Sequence, residues 1–92
     1  MPTAAEFRAE ALAYLSRLSK YDDDLTAAIN VVIDLNNKGG LGSSRAVEAA
    51  QNIMDLIGGF GRLEPPACLS AFHDRQVYLW GQYYDGAEGL KT

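Results

Sequence analysis

Apolar residues recur along this chain with the period of an α-helix. In four segments they gather on one side when about 3.6 residues are counted per turn, and we predict these segments to be helices. Stretches rich in glycine or aspartate separate the segments. The predicted helices cover residues 4–20, 25–37, 45–57 and 66–84, and residues 86–92 are predicted to form a loose tail.

Side chains that favour helix starts lie at the predicted boundaries. Thr3 and Glu6 have the spacing of a capping box, in which each side chain pairs with a free backbone N–H of the other residue. The run Asp22–Asp24 is predicted to separate the first two helices, since aspartate is favoured at N-caps. Ser43 or Ser44 is predicted to cap the third helix.

Glycine pairs follow the second and third predicted helices, in the strings Gly39–Gly42 and Gly58–Gly61. A left-handed glycine followed by an apolar residue is the pattern of a Schellman C-cap. We therefore predict left-handed caps at Gly40 and Gly59. The likeness of the two strings is interpreted as one capping solution used twice, rather than as a duplicated unit.

The second predicted helix is apolar around more than half of its circumference, which places it at the centre of the fold. Short connections favour antiparallel packing of neighbouring helices. The predicted fold is therefore all-α: a compact antiparallel four-helix bundle or a similar small helical array, formed as a single domain over residues 1–92. Its predicted core includes Ile29, Val32, Ile53, Leu69 and Phe72.

The charge pattern excludes some classes of partner. The net charge is −4, and the eight basic residues are scattered along the chain without forming a cluster. Nucleic acids and anionic membranes are bound by clustered cations, so we predict neither as a partner. No signal-peptide pattern and no apolar run of transmembrane length occurs, and a cytoplasmic location is the expectation.

Few residues are available for catalysis or for metal binding. Cys68 is the single cysteine, which excludes an internal disulfide and a multi-cysteine zinc site, and His73 is the single histidine. Asp22–Asp24 lacks the alternating oxygen ligands and the distal glutamate of a calcium loop. An active site needs several such groups to converge. We therefore expect no enzymatic activity, no cofactor and no metal site.

Polar and aromatic residues of the last predicted helix are candidates for an interface. His73 and Gln76 fall within its apolar arc, and a buried histidine needs a hydrogen bond, a cavity or an interface. Aromatic side chains such as Tyr78, Trp80 and Tyr84 commonly anchor protein interfaces. The possible interface residues are thus His73, Tyr78, Trp80 and Tyr84.

The loop before the third predicted helix is a candidate anion site. Backbone N–H groups at a helix start, together with Gly42, Ser43, Ser44 and Arg45, offer donors for a phosphate. The segment also resembles the helix start of acyl carrier proteins, whose serine carries phosphopantetheine; that family's Asp-Ser-Leu motif is incomplete here, because the Asp and the Leu are missing. The alternative interpretation is a C-cap followed by an N-cap.

These observations predict a small acidic protein–protein interaction module that binds a protein partner or itself, most simply as a homodimer. One alternative is an immunity or antitoxin-type protein, because many such proteins are small, acidic and helical. Another is a carrier or small-ligand-binding domain that uses the Ser43 loop or a cavity near His73.

Overall fold

The computed structural model describes residues 3–91, which form three α-helices and one short 3₁₀ turn. Helix α1 spans Ala4–Asn37, α2 spans Ser44–Gly61 and α3 spans Ser70–Lys91, with the 3₁₀ turn at Ala67–Leu69. The all-α class is confirmed. The four-helix bundle was wrong, because the described residues form three helices.

Helix α1 is continuous through Asp22–Asp24, so the two helices predicted over 4–20 and 25–37 are one. Three aspartates lower helix propensity by roughly 0.7 kcal/mol each relative to alanine. A buried or half-buried stripe offsets that cost, since each large apolar side chain contributes about 1.5–3 kcal/mol on full burial. Its members alternate at spacings of four and three residues across the aspartates: Tyr14, Leu18, Tyr21, Leu25, Ala28, Val32 and Leu35.

A Schellman motif ends α1, as the glycine pattern predicted. The Gly40 N–H donates to the Leu35 carbonyl at 2.7 Å, and the Gly39 N–H donates to the Asn36 carbonyl at 3.1 Å. The left-handed residue is Gly39, with φ of 73°, and not the predicted Gly40. The helix therefore reverses one residue earlier than expected.

Helix α2 continues through the second glycine pair, so the predicted cap at Gly59 was wrong. Phe60 explains the continuation, because its side chain is fully buried and holds the last turn against the core. A Cβ atom at position 59 would lie 3.1 Å from the Tyr21 hydroxyl oxygen, so an alanine there would crowd the Tyr21 side chain. At the other end Ser43 caps α2 by accepting a hydrogen bond from the Ala46 N–H, as predicted.

Helix α3 begins later and ends later than the predicted segment 66–84. Within it lie Gly81 and Gly86, and the loose tail predicted over 86–92 is helical as far as Lys91, while Thr92 lies outside the described residues. Ala87 is 3% exposed and Leu90 packs against the core. Burial of these two side chains offsets the low helix propensity of the glycines.

Helix α2 packs against both α1 and α3, and the chain runs up, down and up through the three helices. Alanines on α2, among them the fully buried Ala46 and Ala50, allow its backbone to approach its neighbours closely. The central cluster consists of Tyr14, Leu25, Ala28, Ala50, Ile53, Ile57, Phe60, Trp80 and Ala87.

The predicted core is confirmed in part. Ile53 is buried, and Ile29, Val32 and Leu69 are half-buried against the central cluster. Phe72 was placed wrongly, because 43% of its surface is exposed. The register of α3 explains the difference: the neighbouring His73 points inward, so Phe72 is turned toward solvent.

The molecule is elongated because α1 is much longer than its partners. Its extents are 54 × 18 × 15 Å, and its radius of gyration of 15.8 Å exceeds the roughly 12 Å typical of a compact chain this long. Tyr14 lies level with Phe60 near the end of α2 and with His73 near the start of α3. Residues 4–13 therefore form an N-terminal extension of α1, and none of them is buried.

Candidate functional site

The single histidine is held inside the fold by a hydrogen bond. Its Nδ1 atom lies 2.8 Å from the Tyr14 hydroxyl oxygen, and the residue is 4% exposed. The imidazole packs against the Phe60 ring, with 4.6 Å between the ring centroids. The His73 Nε2 atom is buried and finds no hydrogen-bond partner among residues 3–91. This pair connects α1 to α3 at the level where α2 ends.

The chemistry open to the Tyr14–His73 pair is limited by its burial. Desolvation raises the pKa of the Tyr14 hydroxyl above its usual value of about 10, so the hydroxyl stays neutral at physiological pH. His73 lines none of the principal surface grooves of the described residues. A general base must reach the proton that it removes. The geometry therefore favours a structural hydrogen bond.

The candidate anion site is a turn followed by a helix cap. The Ser43 hydroxyl donates to the Gly40 carbonyl at 2.6 Å and accepts from the Ala46 N–H at 3.4 Å. Ser44, Arg45 and Gly42 are exposed. Because local backbone groups already occupy the Ser43 hydroxyl, the arrangement supports the capping interpretation.

The predicted interface residues lie in different environments. Tyr78 is 73% exposed on the side of α3 that points away from the core. Trp80 and His73 are buried, and Tyr84 is half-buried against the central cluster. The structure therefore does not bring the four residues together on one surface.

A different set of large apolar side chains is exposed along α1 and α3. Each member keeps between 39% and 52% of its surface in solvent. Single exposed apolar residues are ordinary on protein surfaces, whereas a contiguous group marks an interaction site. We call this set the apolar face; its members are Phe7, Leu15 and Ile33 of α1, and Phe72, Leu79 and Tyr83 of α3.

Four members of the apolar face, Leu15, Ile33, Leu79 and Tyr83, line a groove between α1 and α3. One section lies between Leu15 and Trp80, the next between Leu79 and Tyr83, and the third between Ile33 and Tyr83. Adjacent sections share lining residues, so the groove is continuous. The side chains that line it are Leu15, Leu18, Ser19, Asp22, Ile29, Val32, Ile33, Ile53, Gln76, Leu79, Trp80, Gln82, Tyr83, Gly86, Ala87 and Leu90.

The sequence of α3 contains a pattern that indicates this face, although a single apolar arc does not show it. Helix α3 holds two adjacent stripes, each with alternating spacings of four and three residues. The inner stripe is 73, 77, 80, 84 and 87, and the outer stripe is 72, 76, 79, 83, 86 and 90. One helix–helix contact needs a single stripe of this kind. Phe72, Leu79 and Tyr83 of the second stripe are therefore not required for the packing of α3 on α2, and they stay half-exposed.

Several features and resemblances are absent from the described part of the chain. Residues 3–91 contain no group of three or more His, Cys, Asp or Glu side chains placed to hold a metal ion. Over the same range, no helix combines the length and the apolar character needed to cross a membrane. No known family model, curated protein or solved structure matches the chain.

Proposed function

We propose that this protein is a protein–protein interaction module rather than an enzyme, and that the apolar face is its binding surface. The observation that carries the proposal is a continuous groove lined by four half-exposed apolar side chains of this face, Leu15, Ile33, Leu79 and Tyr83. Contiguous apolar patches on a soluble surface are typical of sites that another protein covers.

The make-up of the face supports a protein as the ligand. Its aromatic members, Phe7, Phe72 and Tyr83, belong to residue types enriched at the centres of protein interfaces. The groove is shallow and open along its length, whereas small-molecule sites enclose most of their ligand. An extended apolar surface of this shape fits a helix or a helical face.

Site-specific photo-crosslinking tests the proposal even while the partner is unidentified. Benzoylphenylalanine replaces Tyr83 on the face in one variant and Tyr78 on the opposite side of α3 in the control. Both substitutions exchange one exposed aromatic side chain for another on the same helix. We expect ultraviolet light to yield discrete adducts from position 83 in the cells that express the protein, and none from position 78.

The masses of the adducts then identify the occupant. An adduct at twice the chain mass indicates a second copy, and any other discrete mass indicates a different protein. Equal yields from both positions, or no adduct from either, would contradict an interaction site at the apolar face.

A further inference from the structure

We infer that the occupant of the apolar face is a second copy of this chain, packed antiparallel about a twofold axis. The inference rests on the proposed function, because it names the partner for the same surface. Three properties of the structure support it: the accessible area of the chain, the charge of the groove and the length of α1.

The accessible area matches what a homodimer would cover. The chain exposes 6175 Å², and its mass is 10.0 kDa. A compact monomer of that mass exposes roughly 5200 Å², so the excess is about 1000 Å². A standard protein interface buries about 800 Å² on each partner. The excess is therefore about the area that one copy contributes to a stable dimer.

The groove carries little charge, which favours a second copy of this chain over a partner that binds through opposite charge. All six members of the apolar face are uncharged, and Asp22 is the single charged residue among those that line the groove. The whole chain carries a net charge of −4. Two copies that meet through this surface keep most of their other acidic residues apart, so like-charge repulsion across the contact is confined mainly to Asp22.

The length of α1 selects the antiparallel arrangement. Helix α1 is 34 residues long, about 51 Å, and its midpoint lies between Lys20 and Tyr21. When two copies of α1 cross antiparallel near that midpoint, Phe7 lies level with the partner's Ile33. The N-terminal extension of each copy is then covered by the second half of the partner's α1.

A parallel arrangement leaves the extension uncovered. In that arrangement α1 lies over the partner's α3, which begins at Ser70, three residues before His73. Because His73 lies level with Tyr14, residues 4–10 of α1 would project past the start of the partner's α3. The apolar side chain of Phe7 would remain in solvent.

Sedimentation equilibrium tests whether the occupant is a second copy of the chain. At roughly tens of micromolar we expect a mass near twice 10.0 kDa for the wild type. Tyr83→Ser should raise the dissociation constant roughly tenfold or more, because a central aromatic anchor is lost. The matched control Tyr78→Ser makes the same change at the 73% exposed tyrosine and should leave the constant unaltered. Circular dichroism at 222 nm checks that both variants are folded.

Thiol cross-linking tests the arrangement in a Cys68→Ser background, since Cys68 is exposed. Ala4→Cys and Asn37→Cys place one thiol at each end of α1. A short bismaleimide should link an equimolar mixture of the two variants into dimers, whereas each variant alone should stay uncross-linked. Dimers from either single variant, with none favoured in the mixture, would overturn the antiparallel arrangement.

A wild type that sediments at 10.0 kDa up to about 100 micromolar would overturn the second copy as the occupant. Photo-crosslinks from position 83 to a protein of another mass would then leave the proposed function standing. Equal weakening by Tyr83→Ser and Tyr78→Ser would place the dimer contact elsewhere and overturn the inference as well.

Discussion

The hydrogen bond between Tyr14 and His73 should make a measurable contribution to stability. Tyr14→Phe removes the hydroxyl that lies 2.8 Å from Nδ1, while Nε2 already lacks a partner in the described structure. Both ring nitrogens of a residue that is 4% exposed would then be unpaired. A buried polar group that loses its partner costs about 1–3 kcal/mol, and we expect the free energy of unfolding to fall by that amount.

A double-mutant cycle isolates this contribution from changes in packing. His73→Leu alone leaves the Tyr14 hydroxyl unpaired, whereas the double variant Tyr14→Phe/His73→Leu contains neither polar group. The double variant should therefore lose less stability than the sum of the two single variants, by about 1–2 kcal/mol. Tyr21→Phe is a matched control on the same helix and should cost under about 0.5 kcal/mol.

Urea denaturation, followed by circular dichroism at 222 nm and by Trp80 fluorescence, measures all four variants against the wild type. Additive losses in the cycle would refute the reasoning, because they would show that the two groups do not interact in solution. A loss from Tyr21→Phe as large as that from Tyr14→Phe would refute it too, since the effect would then belong to any tyrosine on α1.

The pH dependence provides a second measurement of the same pair. Burial raises the folded-state pKa of Tyr14, so above pH 10 the folded chain binds more protons at this site than the unfolded chain does. The contribution of the neutral Tyr14 hydroxyl to stability is complete below about pH 10, the usual pKa of tyrosine. It is lost as the pH rises through the higher pKa that Tyr14 has in the folded chain. The stability of wild type and Tyr14→Phe should therefore converge in this alkaline range. A constant gap between the two would contradict this assignment.

Other predictions concern packing and caps. Phe60→Ala should lower the free energy of unfolding by about 3–5 kcal/mol, because its side chain is fully buried, whereas Phe72→Ala should lower it by under about 2 kcal/mol. Urea denaturation of dilute protein measures both, and the reverse order would show that the core is assigned wrongly. Gly39→Ala should lower the free energy of unfolding by about 1–2 kcal/mol, because φ there is 73°, and a neutral result would exclude the left-handed cap. Gly59→Ala should gain the roughly 1 kcal/mol of alanine's helix propensity only together with Tyr21→Phe, since the Tyr21 hydroxyl lies 3.1 Å from the new Cβ.

Features determined by local interactions were predicted well from the sequence. Ser43 caps α2, and a Schellman motif ends α1, because both depend on side chains and backbone within one turn of the helix end. The break at Asp22–Asp24 and the cap at Gly59 were wrong for a shared reason. In both places tertiary burial, along the α1 stripe and at Phe60, outweighs an unfavourable local preference.

Contacts between distant parts of the chain could not be predicted from the sequence pattern. The position of His73 in an apolar arc indicated burial, but its partner Tyr14 is 59 residues away, and no local pattern links the two residues. The aromatic residues of α3 indicated an interface, yet only the register of the helix shows that Tyr83 lies on the groove and Tyr78 opposite it. The two adjacent stripes at alternating spacings are the sequence feature that marks the second, half-exposed side of α3.

Folding and the proposed binding use separate surfaces of the same helices. The inner stripes of α1 and α3 pack on α2 around Phe60, so the three-helix body buries a core without any partner. Phe72, Leu79 and Tyr83 of the outer stripe of α3 and the N-terminal extension of α1 contribute little to that core, because their side chains stay exposed or half-exposed. Substitutions on the apolar face should therefore change association while the free energy of unfolding of the monomer changes little. Substitutions around Phe60 should lower the stability of the monomer directly, and they should weaken association only because less folded chain is present.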